Sequence, residues 1–464
     1  MLADESLRSE LVKGIETDGC SAEHAVETVL NRYQHQFAGA DSEYLRQRAA
    51  DISEIQRELV GYFNREVGCR RCADAAACGV KRCRLGSDHI LVSEELSASL
   101  PIETDRHTLG FVVEKGGANS HAVILARASR CPVVGNIRRP LTSIPLDAQI
   151  LIDGDSGEVI VNPSDETRAR YQARRACRGQ GLQLSRPVPG LKVMANIGRS
   201  ADIDSALAAG AEGVGLYRTE VEVLVAGRML SEAEQCARYS EVRRAMAGRP
   251  VCIRLLDLGS DKTADWVEAT VQGGAAAGQR GAGLLRAHPE LLRAQARALA
   301  RASVHGPIQV LYPMISDVEQ FVELRALFDQ AVADLRPAGL QHGVLFEVPA
   351  ACLAARELMR AADFGCIGTN DLIQYLFAAD RRGSDTAGHA RFETDAVLWD
   401  LIRTLSRTAA QAGKPMSICG ELAGNPGLIG RIMQSGVTAI STSPAHIARV
   451  RQAASERASE NHSR

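Results

Sequence analysis

Between Leu191 and about Val450 the chain keeps a regular beat of short apolar runs separated by helical stretches, and this beat narrows the possible folds more than any other feature. The runs are VMANI (193–197), GVGLYR (213–218), VCIRLLD (251–257), IQVLYPM (308–314), GVLFEV (343–348), FGCIGTN (364–370), MSICGE (416–421) and TAISTS (438–443). Strands that read as near-continuous apolar segments are buried on both faces, which is the condition of parallel strands joined by helices. Eight such units in roughly 260 residues match the size of a closed (β/α)8 barrel. The predicted class is therefore α/β, with a C-terminal (β/α)8 TIM barrel over 189–455 and a polar tail over 456–464.

The residues ahead of the barrel divide into four stretches. SAEHAVETVLNRYQHQF and SEYLRQRAADISEIQRELVGYF both place apolar side chains three to four apart, which predicts a partial helical segment over 1–66. A Cys-rich connector covers 67–86. Short β-branched runs around one helix-like stretch, SHAVILARAS, make 87–163 a small α/β domain. The charged stretch 164–188 is helical at first and then loose, as a linker would be.

Composition excludes several classes. The 464 residues carry 54 Lys plus Arg against 56 Asp plus Glu, a net charge of −2. A chain that wraps nucleic acid shows a basic excess, which is missing here. No run reaches the ~18 apolar residues that cross a bilayer. The start, MLADESLRSEL, has acids where a signal peptide has a basic head and an apolar stretch. The expectation is a cytoplasmic protein with no membrane partner. Its 12 cysteines then serve as thiols, ligands or catalytic groups rather than disulfides.

Polar residues cluster where the barrel strands end, and barrel enzymes build their sites from the C-terminal ends of the strands. The second run ends at Tyr217-Arg218-Thr219-Glu220, and the third carries Arg254 and ends near Asp257. The fifth ends at Glu347, the sixth at Asn370-Asp371 and the seventh at Cys419-Gly420-Glu421. Arg218 and Arg254 offer planar forks for phosphate or carboxylate oxygens. Glu347 and Asp371 are hard oxygen ligands, enough for a Mg²⁺ that keeps water and substrate oxygens in its other positions. Cys419 can give or take a proton. A small phosphorylated acid suits this set better than a sugar. Any one of these residues could instead be a salt-bridged cap, but five equipped strands out of eight favour a site.

A second constellation is GGANSHAVILARASRCPVVGN at 116–136. Its glycines permit a tight turn, and Asn119 or Ser120 can cap the helix that follows. His121 falls in the first turn, where unpaired N–H groups favour added negative charge. A phosphoryl group on its imidazole would be stabilised there. By default, however, each of the 11 histidines is an ordinary surface or core residue.

The string GGANSHAVILAR resembles the phosphohistidine signature of the phosphoenolpyruvate-utilising enzymes. GAEGVGLYRTE, RLLDLGSDK, PMISDVEQ, FEVPAA, IGTNDLIQY, AADR and CGELAGN are similar to the barrel motifs of the same family. Their order and spacing resemble Enzyme I of the bacterial phosphotransferase system over nearly the whole chain. What this implies is a two-step transfer. His121, on a swivelling domain, takes the phosphoryl group of phosphoenolpyruvate in the barrel. Cys419 protonates the enolate to give pyruvate, and His121 then passes the group to a histidine of a small HPr-like phosphocarrier. By motif match, Arg218, Arg254 and Arg381 hold the phosphate with Asn370 assisting, Lys262 and Arg280 line the site, and Glu347 and Asp371 hold Mg²⁺. The resemblance also implies a homodimer through the barrel.

The sequence departs from the family pattern in several places. Members usually begin with a further early strand and more of the helical subdomain, so the chain reads as N-terminally shortened. Asn119 stands where Thr is usual, and Gly283 where a second Arg is expected. The family pattern does not contain Cys69, Cys72, Cys78 and Cys83, whose C-x2-C-x5-C-x4-C spacing could supply thiolates to Zn²⁺ or leave plain or redox-sensitive thiols. Phosphoenolpyruvate synthase and pyruvate phosphate dikinase share the motifs but need an ATP-grasp domain, for which no segment is free. The other alternative is an inactive or regulatory paralogue that binds phosphoenolpyruvate without turnover.

Overall fold

The computed structural model describes residues 5–16, 22–38, 88–95, 108–115, 131–145, 148–154, 156–179, 187–258, 280–335, 339–379 and 391–462, with the single positions 52, 56, 59, 126 and 337. His121, Lys262, Arg381 and the cysteines at 69, 72, 78 and 83 lie outside the described residues. The chain divides into two compact units, Met1–Asp88 and His89–Arg464.

In the first unit, helices α1 (Glu5–Glu16) and α2 (Ala22–Ala38) pack through Leu7, Val26, Val29 and Leu30. Ile52 completes this core and Leu59 packs against it. Ile52, Gln56 and Leu59 are all helical, in the stretch where the sequence periodicity predicts a second long helix.

The second unit begins with a three-stranded parallel sheet of β1 (His89–Glu95), β2 (Thr108–Lys115) and β3 (Val133–Val134), in that order. The run AQILIDGDSGEVIVNP folds as an antiparallel hairpin, β4 (Ile150–Asp153) with β5 (Glu158–Val161). Helix α3 (Asp165–Gly179) occupies the charged stretch that follows.

All eight predicted strands form, and they close into a parallel barrel in the order β10-β11-β12-β13-β6-β7-β8-β9. They are β6 (Lys192–Ile197), β7 (Val214–Arg218), β8 (Val251–Arg254), β9 (Ile308–Tyr312), β10 (Leu340–Phe346), β11 (Phe364–Gly368), β12 (Met416–Cys419) and β13 (Ala439–Thr442). The longer helices between and after them are α4 (Thr219–Ala226), α5 (Glu232–Ala245), α6 (Pro289–Ala302), α7 (Val318–Val332), α8 (Thr369–Leu376), α9 (Ala396–Gln411) and α10 (Ile447–His462). Their starts follow capping chemistry. Ser231 and Glu234 form a reciprocal capping box at α5, and Asp317 Oδ1 accepts from the Gln320 N–H at α7 (2.8 Å).

Period-two alternation sorts the barrel side chains. Leu216, Cys252, Leu311, Leu345, Phe364, Cys366 and Cys419 form one buried cluster inside the barrel. Tyr217, Ile253, Val310, Val344, Phe346, Ile367 and Ile418 belong to the separate core shared with the helices. Continuing the inward parity by two residues brings Arg218, Arg254, Glu347 and Gly368 to the mouth. β8 stops at Arg254, β10 at Phe346 and β11 at Gly368, each short of the C-terminal end of its run, while β10 begins three residues before its run.

Candidate active site at the barrel mouth

Because every strand runs the same way, all the strand ends named above open on one end of the barrel. Arg218 and Arg254 are direct register partners on β7 and β8. Two neighbouring guanidiniums need anions, and the protein supplies some of them. Arg254, only 5% exposed, pairs with Glu220 and with Asp257 Oδ2 (3.1 Å). Arg280 grips Asp257 through two bonds of 2.9 Å and reaches Asp371 Oδ1 at 2.8 Å and Oδ2 at 3.2 Å. The result is an alternating chain, Glu220–Arg254–Asp257–Arg280–Asp371. The backbone turns sharply to permit it. At Gly281 (φ 53) an added Cβ would fall 2.8 Å from the Met314 side chain.

Glu347 stands beside this chain, 2% exposed, with Oε1 accepting from the Met314 N–H at 2.8 Å. Met314 holds that N–H in place at φ 55, a left-handed conformation that costs a non-glycine residue roughly 1–3 kcal/mol. Burial, then Asp371 and Asp257, push the Glu347 carboxyl up to about 8 against the pull of Arg254 and Arg280. Four carboxyls, Glu220, Asp257, Asp371 and Glu347, thus stand with the three guanidiniums of Arg218, Arg254 and Arg280 at this mouth. A surplus of buried hard oxygens is the donor chemistry that a divalent cation satisfies. Among the described residues no group of three or more His, Cys, Asp or Glu side chains is arranged to hold a metal alone. Glu347 and Asp371 would therefore need water or substrate oxygens to complete a Mg²⁺ shell, as Mg²⁺ sites commonly do.

Cys419 ends β12 opposite Gly368 in the register. It is 3% exposed, and its sulfur lies 3.6 Å from that of Cys366. The contact with Cys366, followed by burial, holds the Cys419 thiol well above its ordinary value of 9, so it stays protonated. Asn370 and Asp371 lie in the first turn of α8. Asn370 Oδ1 accepts from the Glu421 N–H (2.8 Å), and Thr369 Oγ1 donates to the Cys419 carbonyl (2.9 Å). These bonds tie the sixth and seventh strand ends together across Gly420, where φ is 104 and an added Cβ would lie 2.1 Å from Thr369 Oγ1.

Of the residues expected from sequence, Arg218, Arg254, Arg280, Glu347, Asn370, Asp371 and Cys419 all stand at this mouth. Ion pairs join Arg254 to Arg280 through Asp257, and Arg280 to Asp371. The fork of Arg254, which the sequence offers to phosphate or carboxylate, and that of Arg280, which the resemblance places along the site, are engaged by carboxylates in this structure. Sequence reasoning missed the linking role of Asp257 and the position of Cys366. The latter was recoverable, since Cys366 precedes Gly368 by two and so shares its inward parity.

Fold and site together define a class, a (β/α)8 barrel whose mouth gathers a buried network of guanidiniums and carboxyls. The comparisons with known proteins narrow this. Residues 173–459 match the PEP-binding domain of PEP-utilising enzymes, 85–157 their mobile domain and 1–48 their N-terminal domain. A phosphoenolpyruvate-protein phosphotransferase of Bacillus sp. (strain S) is 31% identical over 479 residues, covering 99% of this chain and 81% of that protein. Those of Geobacillus stearothermophilus and Streptomyces coelicolor are 32% and 34% identical, covering 96% and 97% of this chain and 78% and 79% of theirs. The chain belongs to the phosphoenolpyruvate-protein phosphotransferase family of PEP-utilising enzymes.

Proposed function

We propose that the chain transfers the phosphoryl group of phosphoenolpyruvate to its own His121 and then to a histidine of an HPr-like phosphocarrier, releasing pyruvate. The observation that carries this is similarity to the phosphotransferases along nearly the full chain. In the first step the His121 nitrogen forms a bond to phosphorus and the phosphorus–enol oxygen bond breaks. The enolate left behind takes a proton at its methylene carbon from Cys419, which gives pyruvate and a thiolate. The protonated state of Cys419 supports its role as the acid.

Arg218, Arg254 and Arg381 bind the phosphate, with Asn370 assisting and Lys262 and Arg280 lining the site. Preorganised positive charge is the main lever for phosphoryl transfer. Glu347 and Asp371 hold Mg²⁺, which when bound neutralises phosphate and carboxylate charge. Segment 87–163 carries His121 between barrel and carrier, and 164–188 is the linker on which it swings. The barrel pairs with a second copy, and the pathway is a phosphotransferase system serving sugar uptake or regulation. No helix among the described residues is long and apolar enough to cross a membrane. The described cysteines are free thiols, which fits a cytoplasmic setting.

The test is incubation of the purified chain with ³²P-labelled phosphoenolpyruvate and Mg²⁺. An acid-labile, base-stable label that disappears in His121→Ala is the expected result. Phosphoenolpyruvate binding without any label would overturn transfer and leave a sensor of this metabolite.

A further inference from the structure

We propose that Gln295, on α6 outside the barrel, is a positioning residue that sets the spacing of the Arg218 and Arg254 phosphate clamp. The proposal deepens the reading above and rests on it. Gln295 is 3% exposed, and its side chain bonds Leu256, Thr219 and Tyr239, which are not among the groups assigned to substrate. Its amide nevertheless joins both strand ends that carry the clamp. Oε1 accepts from the Leu256 N–H at 2.9 Å, in the segment between Arg254 and Asp257. Nε2 donates to Thr219 Oγ1 at 3.2 Å, the residue directly after Arg218. Thr219 Oγ1 in turn donates to the carbonyl of Arg254 at 3.0 Å.

The orientation of the amide is fixed, since the Leu256 N–H can only donate and so must meet the amide oxygen. A further bond from Nε2 to the Tyr239 hydroxyl (3.1 Å) uses its second hydrogen. Tyr239 donates to Gln235 Oε1 (3.1 Å), and Gln235 Nε2 donates to the Leu230 carbonyl (2.9 Å). The clamp is thereby anchored to α5 and α6. Thr219 and Tyr239 are themselves 3% and 2% exposed.

A polar chain of this kind is more than a core needs. An apolar side chain at 295 would pack against α5, but it would leave the Leu256 N–H without its acceptor and release Thr219 from α6. The two like-charged side chains would then be spaced by the β7–β8 pairing and the Thr219–Arg254 bond alone, without the brace from α6. Phosphate recognition by two planar forks depends on that separation, whereas binding of the carboxylate end of the substrate does not.

The experiment measures calorimetric affinity of the full-length chain, with Mg²⁺, for phosphoglycolate (phosphorylated) and oxalate (not phosphorylated). In Gln295→Met, phosphoglycolate affinity should fall about tenfold, the equivalent of one or two buried hydrogen bonds, while oxalate affinity stays within about twofold. Thr219→Val, which keeps the shape and removes the bridging hydroxyl, should show the same selective loss, and covers the case in which Gln295→Met fails to fold. Equal losses for both ligands would mean that Gln295 is merely structural, and no loss for either would also overturn the proposal. Arg218→Met separates the two levels. If it binds phosphoglycolate as wild type does, the phosphate reading falls and the proposal with it. If it loses phosphoglycolate while Gln295→Met and Thr219→Val do not, only the proposal falls.

Discussion

Replacing Glu347 by Gln should remove most of the chain's loss of stability toward alkaline pH when no divalent cation is present. In the folded barrel the carboxyl is held at about 8, against an ordinary value of 4.5, by burial and by Asp371 and Asp257. The folded state therefore keeps a proton that the unfolded chain has already lost. Below about pH 4.5 both states are protonated and the group costs nothing. Between about 4.5 and 8 the folded state loses ground with every step upward, and above 8 the full penalty applies. Holding a carboxyl that far above its free value corresponds to on the order of 5 kcal/mol, a large part of a typical domain's stability. Denaturant unfolding at a series of pH values in EDTA, followed through Trp399 buried in the barrel core, measures the slope. Wild type should weaken steadily over this range, and Glu347→Gln, neutral and nearly isosteric, should be much flatter. Adding Mg²⁺ should flatten the wild-type profile as well, because a cation favours the ionised carboxylate. Parallel profiles for the two proteins in EDTA would refute the idea that the carboxylate surplus is under strain.

Two further outcomes follow from the same network. Arg280→Met removes the Arg280 ion pairs of Asp257 and Asp371, the first of them fully buried and left with Arg254, and should cost about 3–5 kcal/mol at neutral pH. The loss should shrink at acid pH, where the carboxyls take up protons, and unfolding midpoints at two pH values check it. Cys419→Ala should slow pyruvate release far more than it weakens phosphoenolpyruvate binding, as read by single-turnover kinetics beside calorimetry. Wild-type turnover in that variant would remove the acid role from Cys419.

The barrel was legible in the sequence because its cause is local. A parallel strand buried on both faces must be apolar along its length, and a helix must follow to reach the next strand. Hence the runs from VMANI to TAISTS marked all eight strands. The site was legible for a related reason. Chemistry collects at strand ends, so Arg218, Glu347, Asp371 and Cys419 stood out by position before any contact was known. Strand limits were less visible. Arg254, Phe346 and Gly368 end their strands, and the residues just beyond them bond partners that are distant in sequence, as Leu256 does Gln295 and Glu347 does Met314.

Those partners are what the tertiary structure alone decided. Asp257 meets Arg280 across 23 residues, and Arg280 meets Asp371 across 91, so no local pattern could reveal that both forks are engaged. The raised carboxyl of Glu347 depends on that same convergence, for no glutamate is unusual until burial and neighbouring charge make it so. Gln295 gives the sharpest contrast. In sequence it is one polar position within the amphipathic helix PELLRAQARALARA, with no mark of function. Only barrel closure brings α6 against the ends of β7 and β8, and with them the two backbone segments its amide joins. Local physics fixes which elements form and which way their side chains alternate, whereas charge pairing and positioning arise when closure sets distant residues side by side in a space too dry to leave them unmatched.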